Sequence, residues 1–119
     1  MVKLFAQTAA FALVMATSMV AMADPVGGSK GQFTQVEAYS SRSFSLECWG
    51  AEWTAIRIEG DSDTDLDLYV FDESGNLVAE GESYADIEEV FVLCHGRQTL
   101  TIKVVNRGGV YNRCYISAW

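Results

Sequence analysis

The chain has 119 residues, half of them hydrophobic, with ten glycines and a single proline, a length that holds one domain. Sixteen acidic residues against eight basic ones give a formal charge of −8. That balance argues against nucleic acid and anionic membrane surfaces as partners.

Residues 1–23 read as a secretory signal peptide. Lys3 supplies the positive start, an apolar run follows from Leu4 to Val20, and Ala21, Met22 and Ala23 place small residues at a cleavage site. Gln7, Thr8, Thr17 and Ser18 interrupt the run, which argues against a membrane anchor. No cysteine follows it, so a lipid anchor is not expected. The mature chain is expected to start at Asp24, to reach the periplasm or the outside of the cell, and not to insert into a membrane. Residues 24–31, with Pro25, Gly27, Gly28 and Gly31, read as a flexible leader, and residues 32–119 as the folded domain.

Residues 33–39 are either a first strand or a short irregular segment. From Ser43 to Trp49 apolar and polar residues alternate, with Phe44, Leu46 and Cys48 on one side. Residues 50–52 turn the chain. Trp53 to Glu59 alternates again, with Ile56 and Ile58 inward, which predicts a hairpin. Leu66, Leu68 and Val70 mark the inward face of the next strand, with Asp65, Asp67, Tyr69 and Phe71 outward. Residues 72–76 form a turn in which Gly75 supplies positive φ. Residues 77–79 read as a short strand and 80–86 as a loop. Val90, Val92 and Cys94 face inward, as do Leu100, Ile102 and Val104 after the turn at residues 95–98. Residues 106–109 turn once more and residues 114–119 close the sheet. Many short strands separated by turn signals predict an all-β fold: a jelly-roll-like antiparallel β-sandwich of about seven to eight strands.

Between the strand that ends at Glu59 and the one that carries Leu66, Leu68 and Val70, and running into the latter, lies Gly60-Asp61-Ser62-Asp63-Thr64-Asp65-Leu66-Asp67. Like charges this close repel by roughly 1 kcal/mol per pair at about 4 Å, even in bulk water. A cation, an arginine or backbone N–H donors must offset that. Calcium takes carboxylate and carbonyl oxygens from a curled loop, and Asp61, Asp63, Asp65 and Asp86 are its candidate ligands here. Leu66 stands where an EF-hand loop needs glycine, and the flanks are strands, so an EF-hand is rejected. Arg107 and Arg113 offer planar guanidinium forks to the same carboxylates, the simpler offset.

The run from Gly60 to Ala79 resembles the signature of the bacterial pre-peptidase C-terminal domain family. Residues 101–113, Thr-Ile-Lys-Val-Val-Asn-Arg-Gly-Gly-Val-Tyr-Asn-Arg, resemble that family's closing hairpin. The resemblance covers residues 53–119. It implies a compact secreted β-sandwich, of a kind often appended to proteases, some of which bind calcium or a matrix polymer. No protease accompanies the domain in this sequence.

Three cysteines in an exported chain leave one disulfide and one thiol. With the acidic turn placed at one pole, successive strands bring Cys48 and Cys94 to the other, and Cys114 to the middle of the last strand. The expected bond is Cys48–Cys94, closing a loop of about 45 residues and contributing on the order of 3–4 kcal/mol. Cys114 is then a small buried hydrophobe, or else it pairs between chains. The same drawing gathers Asp61, Asp63, Asp65, Asp86, Glu88, Asn106, Arg107, Asn112 and Arg113 at the acidic pole.

Little catalytic chemistry is legible. His95 is the only histidine, and a dyad with its neighbour Cys94 has the wrong geometry on a turn. There is no zinc spacing, no Gly-x-Ser-x-Gly elbow, and no Rossmann or P-loop glycine pattern. Trp49, Trp53, Tyr69, Phe71, Tyr84, Tyr111, Tyr115 and Trp119 cannot all point inward. They either cover the edges of a small core or form an outward face that stacks on sugars or binds a protein. The reading is therefore a monomeric, non-catalytic binding or accessory module whose partner is a protein or a polysaccharide, with calcium as its one candidate cofactor. The alternative is a small hydrolase using carboxylates of the acidic pole, which requires a cleft.

Overall fold

The apolar residues that alternate along each segment meet in one core. A computed structural model describes residues 20–22, 30–83 and 85–119. The strands among them are β1 (Val20–Met22), β2 (Lys30–Val36), β3 (Ser41–Cys48), β4 (Trp53–Glu59), β5 (Leu66–Phe71), β6 (Leu77–Gly81), β7 (Ile87–Leu93), β8 (Gln98–Asn106) and β9 (Asn112–Ala118). Phe44, Leu46, Ile56, Ile58, Leu66, Leu68, Val70, Leu100, Ile102 and Val104 are all fully buried, each on the side that its period-two pattern assigns.

Two sheets enclose this core. One has the order β1-β3-β8-β5-β6 and the other β2-β9-β4-β7. From β2 onward every pairing is antiparallel, and the alternation between layers is that of a jelly roll. The expected sandwich is the fold of the chain. β1 is an addition to it. This three-residue strand lies inside the expected signal peptide and pairs in parallel with the outer edge of β3. The rest of that segment, and most of the expected leader, falls outside the described residues. Lys30 and Gly31 of the leader already belong to β2.

Two expected hairpins are not hairpins. β3 pairs with β8, whereas β4 pairs with β7 and β9 in the other sheet. β8 and β9 likewise lie in different sheets. Residues 49–52 and 107–111 are therefore arches that carry the chain across the core. Alternation says which side of a strand is buried, and an arch buries the same sides as a hairpin, so the pattern cannot separate them. Among the described residues β5 and β6 are the consecutive strands that pair, around a turn in which Gly75 has φ 85°. There Asp72 accepts the amides of Ser74 and Asn76, each at 2.9 Å. β6 runs to Gly81 and β7 starts at Ile87, so the loop between them is shorter than residues 80–86.

Cys48 at the end of β3 and Cys94 after β7 form the disulfide, with Cα atoms 6.1 Å apart. It ties one sheet to the other at the pole opposite the acidic turn. Cys114 is buried in β9, and burial, with Asp61 and Asp86 adding to it, pushes its thiol up to about 12. A neutral thiol in the core is not placed to pair between chains. Replacing Cys48 and Cys94 together by serine is expected to remove on the order of 3–4 kcal/mol. Thermal melts should show a midpoint lower by more than about 10 °C. An unchanged midpoint would deny the bond its structural role.

Candidate functional site

The acidic pole is built on backbone amides. Gly60 ends β4 and lets two side chains approach the turn: an added Cβ would stand 2.5 Å from Asp86 Oδ2 and 2.6 Å from Asn112 Oδ1. The Ser62 amide donates to Asp86 Oδ2. The Asp61 amide donates to Asn112 Oδ1 at 3.1 Å, and Asn112 Nδ2 donates to Thr64 Oγ1 at 3.0 Å. Asp61 itself accepts the amides of Asp63 (3.2 Å) and Arg113 (3.0 Å). A second buried asparagine, Asn106, secures the neighbouring arch. Its Nδ2 donates to the carbonyls of Val36, Glu37 and Val110, and its Oδ1 accepts the Gly108 amide.

Arginine enters on one side. Arg107 Nε donates to Asp67 Oδ2 at 2.7 Å and its Nη2 to Tyr69 Oη at 2.9 Å, while the Tyr69 hydroxyl donates to Glu82. Asp67 is 5% exposed, so this charged bond compensates a buried carboxylate. Burial, with the Glu82 acceptor adding to it, pushes the Tyr69 hydroxyl up to about 12. The Arg113 guanidinium turns away from the acids, to Gln35 Oε1 at 3.3 Å and over the Tyr111 ring at 5.8 Å. It is the backbone of Arg113 that serves Asp61.

The four calcium candidates thus lie at one pole, but they do not form a cage. Asp61 spends both oxygens on amides, and Asp86 spends one. Among the described residues no three acidic, histidine or cysteine side chains converge to hold a metal. Asp65 has a buried Oδ1 without a hydrogen-bond partner. Burial, then the charges of Asp67 and Glu88, raise its carboxyl above the usual 3.8, and Arg107 opposes them. Asp65 lines neither of the two grooves described below.

The outer face of the β2-β9-β4-β7 sheet is different in kind. Across it the strand registers stack Phe33, Tyr115, Glu59 and Ile87 in one row and Gly31, Ser117, Arg57 and Glu89 in the next. Beyond these come Ala55 beside Phe91, then Trp53 opposite Leu93, with Trp119 bonded to Ala55 through both backbone groups. Phe33 is 79% exposed, Trp53 65%, Phe91 59%, Trp119 47% and Tyr115 38%. The rings of Phe33 and Tyr115 sit 4.8 Å apart, and Tyr115 lies over Gly31, where a Cβ would collide with its ring. Glycine inside this strand is what lets the tyrosine lie down.

An open groove of about 1120 Å³ runs beside this pair, lined by Phe33, Thr34, Gln35, Glu59, Arg113 and Tyr115, with Gly60 and Asp61 at its acidic end. Arg57, between the two aromatic ends, pairs with Glu59 at 3.5 Å and with Glu89 at 3.8 Å. A smaller groove of about 350 Å³ at the β7 edge includes Trp53, Phe91, Leu93 and His95. Sequence reasoning singled out Trp53, Tyr115 and Trp119 but not Phe33 or Phe91. Alternation about Val90 and Val92 does place Phe91 outward, whereas Phe33 lay in a segment with no settled register. Trp49 stands apart, under the Arg97 guanidinium at 4.6 Å. Tyr84 lies outside the described residues.

No family model matches the sequence, and no curated protein does. Solved structures do match the fold. The pre-peptidase C-terminal domain of a Bacillus anthracis collagenase is similar with a TM-score of 0.65 at 9% identity, over 85% of this chain and 94% of that one. PliG of Aeromonas hydrophila, a periplasmic inhibitor of g-type lysozyme, is similar at 0.60 and 7% identity, over 85% and 96%. The Yersinia pseudotuberculosis-derived mitogen is similar at 0.51 and 9% identity, over 76% and 84%.

Two melts test the acidic pole. Asp65 binds its proton more tightly folded than unfolded. Its contribution is therefore favourable below 3.8 and is lost as pH rises through the raised folded value. Asp65→Asn should melt higher than the parent at pH 7, with the gap closing as pH falls toward 3.8; a lower melt at pH 7 would mean that the carboxylate is needed there. Because amides engage Asp61 and Asp86 and Arg107 engages Asp67, melting midpoints in chelator and in added calcium should coincide. A rise with calcium would require a rearranged turn. The likeness first carried by two stretches of sequence thus extends to three dimensions: the chain has the fold of a pre-peptidase C-terminal domain.

Proposed function

We propose that the protein is an exported, non-catalytic binding module that presents the outer face of the β2-β9-β4-β7 sheet to a macromolecular ligand of the periplasm or the extracellular space. The observation that carries this reading is the exposure of Phe33, Trp53, Phe91, Tyr115 and Trp119 on one face of one sheet. Rings of this size on a soluble fold cost solubility unless something covers them in use. Export is supported by the signal-like start of the sequence and by the disulfide, which persists in oxidising compartments. A binding role is supported further by the chemistry of the face. Arg57, Glu59 and Glu89 are already paired there, and the larger groove is open rather than water-excluding.

Phe33→Ala combined with Trp53→Ala tests the reading. Both side chains are exposed, so the loss of stability should stay within about 2 kcal/mol, the Phe33–Tyr115 ring contact included. Immobilised parent protein should retain a component of envelope extract or culture medium that the double variant loses. Equal retention by both proteins would remove the face from the function.

A further inference from the structure

We infer that the aromatic face takes an uncharged polysaccharide, lying along the groove beside Phe33 and Tyr115 and on toward Trp53 and Phe91. The inference rests on the reading of this face as the recognition surface, and names its ligand class.

A sugar ring presents C–H groups on its flat side and hydroxyls on its rim. It needs an aromatic plane next to side chains that both donate and accept. The groove supplies that set: the Phe33 and Tyr115 rings, the amide of Gln35, the hydroxyl of Thr34, the carboxylate of Glu59 and the guanidinium of Arg113. Every side-chain type there except phenylalanine can meet a hydroxyl.

Charge selects among polymers. The protein carries −8 overall, yet on this face Arg57 and Arg113 stand against Glu59 and Glu89. Arg57 is held between the two glutamates, and Arg113 is engaged with Gln35. Among the described residues this face offers no free cluster of cations to a phosphorylated or uronic-acid polymer, which meets repulsion from the rest of the surface. A basic ligand would meet Asp61 at the end of the groove, but that carboxylate already accepts two backbone amides.

The layout disfavours a protein partner. Protein interfaces concentrate large side chains at a desolvated centre and leave charge at the rim. Here the order is reversed. Glu59 and Trp53 are six residues apart on β4, about 20 Å along the strand. Rings stand in the Phe33–Tyr115 row at one end and in the rows of Phe91, Trp119 and Trp53 at the other, with the Arg57–Glu89 pair in the row between them and Glu59, the second partner of Arg57, beside Tyr115. A protein centred on this face would have to strip water from those ion pairs. A hydrated chain of sugars touches the rings in turn and leaves the pairs wet.

Native gels cast with soluble polysaccharides test this. Galactomannan, xyloglucan and mixed-linkage β-glucan serve as neutral probes, with alginate and polygalacturonate as acidic ones. At least one neutral polymer should retard the parent protein. Phe33→Ala should weaken that retardation roughly fivefold or more, as removal of an anchor ring does. Leu77→Ala, on the other sheet, should leave it unchanged. Retardation by the acidic polymers alone, or by none, overturns the glycan assignment. In that outcome, a protein still captured from envelope extract and lost by the double variant leaves the face as the recognition surface with a protein ligand. Capture kept by the double variant overturns the face as well.

Discussion

The structure depends on how the turn after β4 disposes of its negative charge. Four aspartates within seven residues, running straight into a core strand, would push the strand out of register if nothing met them. The chain itself meets two of them, Asp61 with amides and Asp67 with Arg107, and it leaves one buried oxygen each of Asp65 and Asp67 without a partner. The amides of Asp63 and Arg113 serve Asp61, the Ser62 amide serves Asp86, and Asn112 locks the turn to β9 through Asp61 and Thr64. Fixed backbone donors hold a carboxylate without the entropy cost of ordering a long side chain. Arginine is used where amides are absent, on the outward strand position Asp67.

Which parts of this could be read from the sequence follows from what each signal encodes. Period two is a property of single strands, so the inward faces of β3, β4, β5, β7 and β8 were legible. The poles were legible too, because turns alternate between ends whatever the sheet, and that placed Cys48 beside Cys94 without knowing which strands pair. Partnership was not legible. β3 to β4 and β8 to β9 read as hairpins because an arch and a hairpin bury the same residues. The role of Asn106 and Asn112 was also hidden. In sequence they are turn formers near acids, and only tertiary contact makes them buried staples.

The aromatic face was half legible for a related reason. Alternation shows that an aromatic points away from the core but not what stands next to it. Neighbours across a sheet come from registers spanning the chain: Phe33 meets Tyr115, and Ala55 meets Phe91. The face exists because four strands from distant parts of the sequence present their outward residues together. Gly31 is small enough to let the Tyr115 ring lie against the sheet.

The pairing of β2 with β9 sets the order of assembly. These strands come from opposite ends of the domain, so the second sheet cannot close until the last residues of the chain are in place. Arched connections make most strand pairings distant in sequence, a topology that folds slowly. Until β9 arrives, β2 has no partner in its sheet and one edge of β4 stands open. Copies of the chain carrying a net charge of −8 repel one another while that edge is bare.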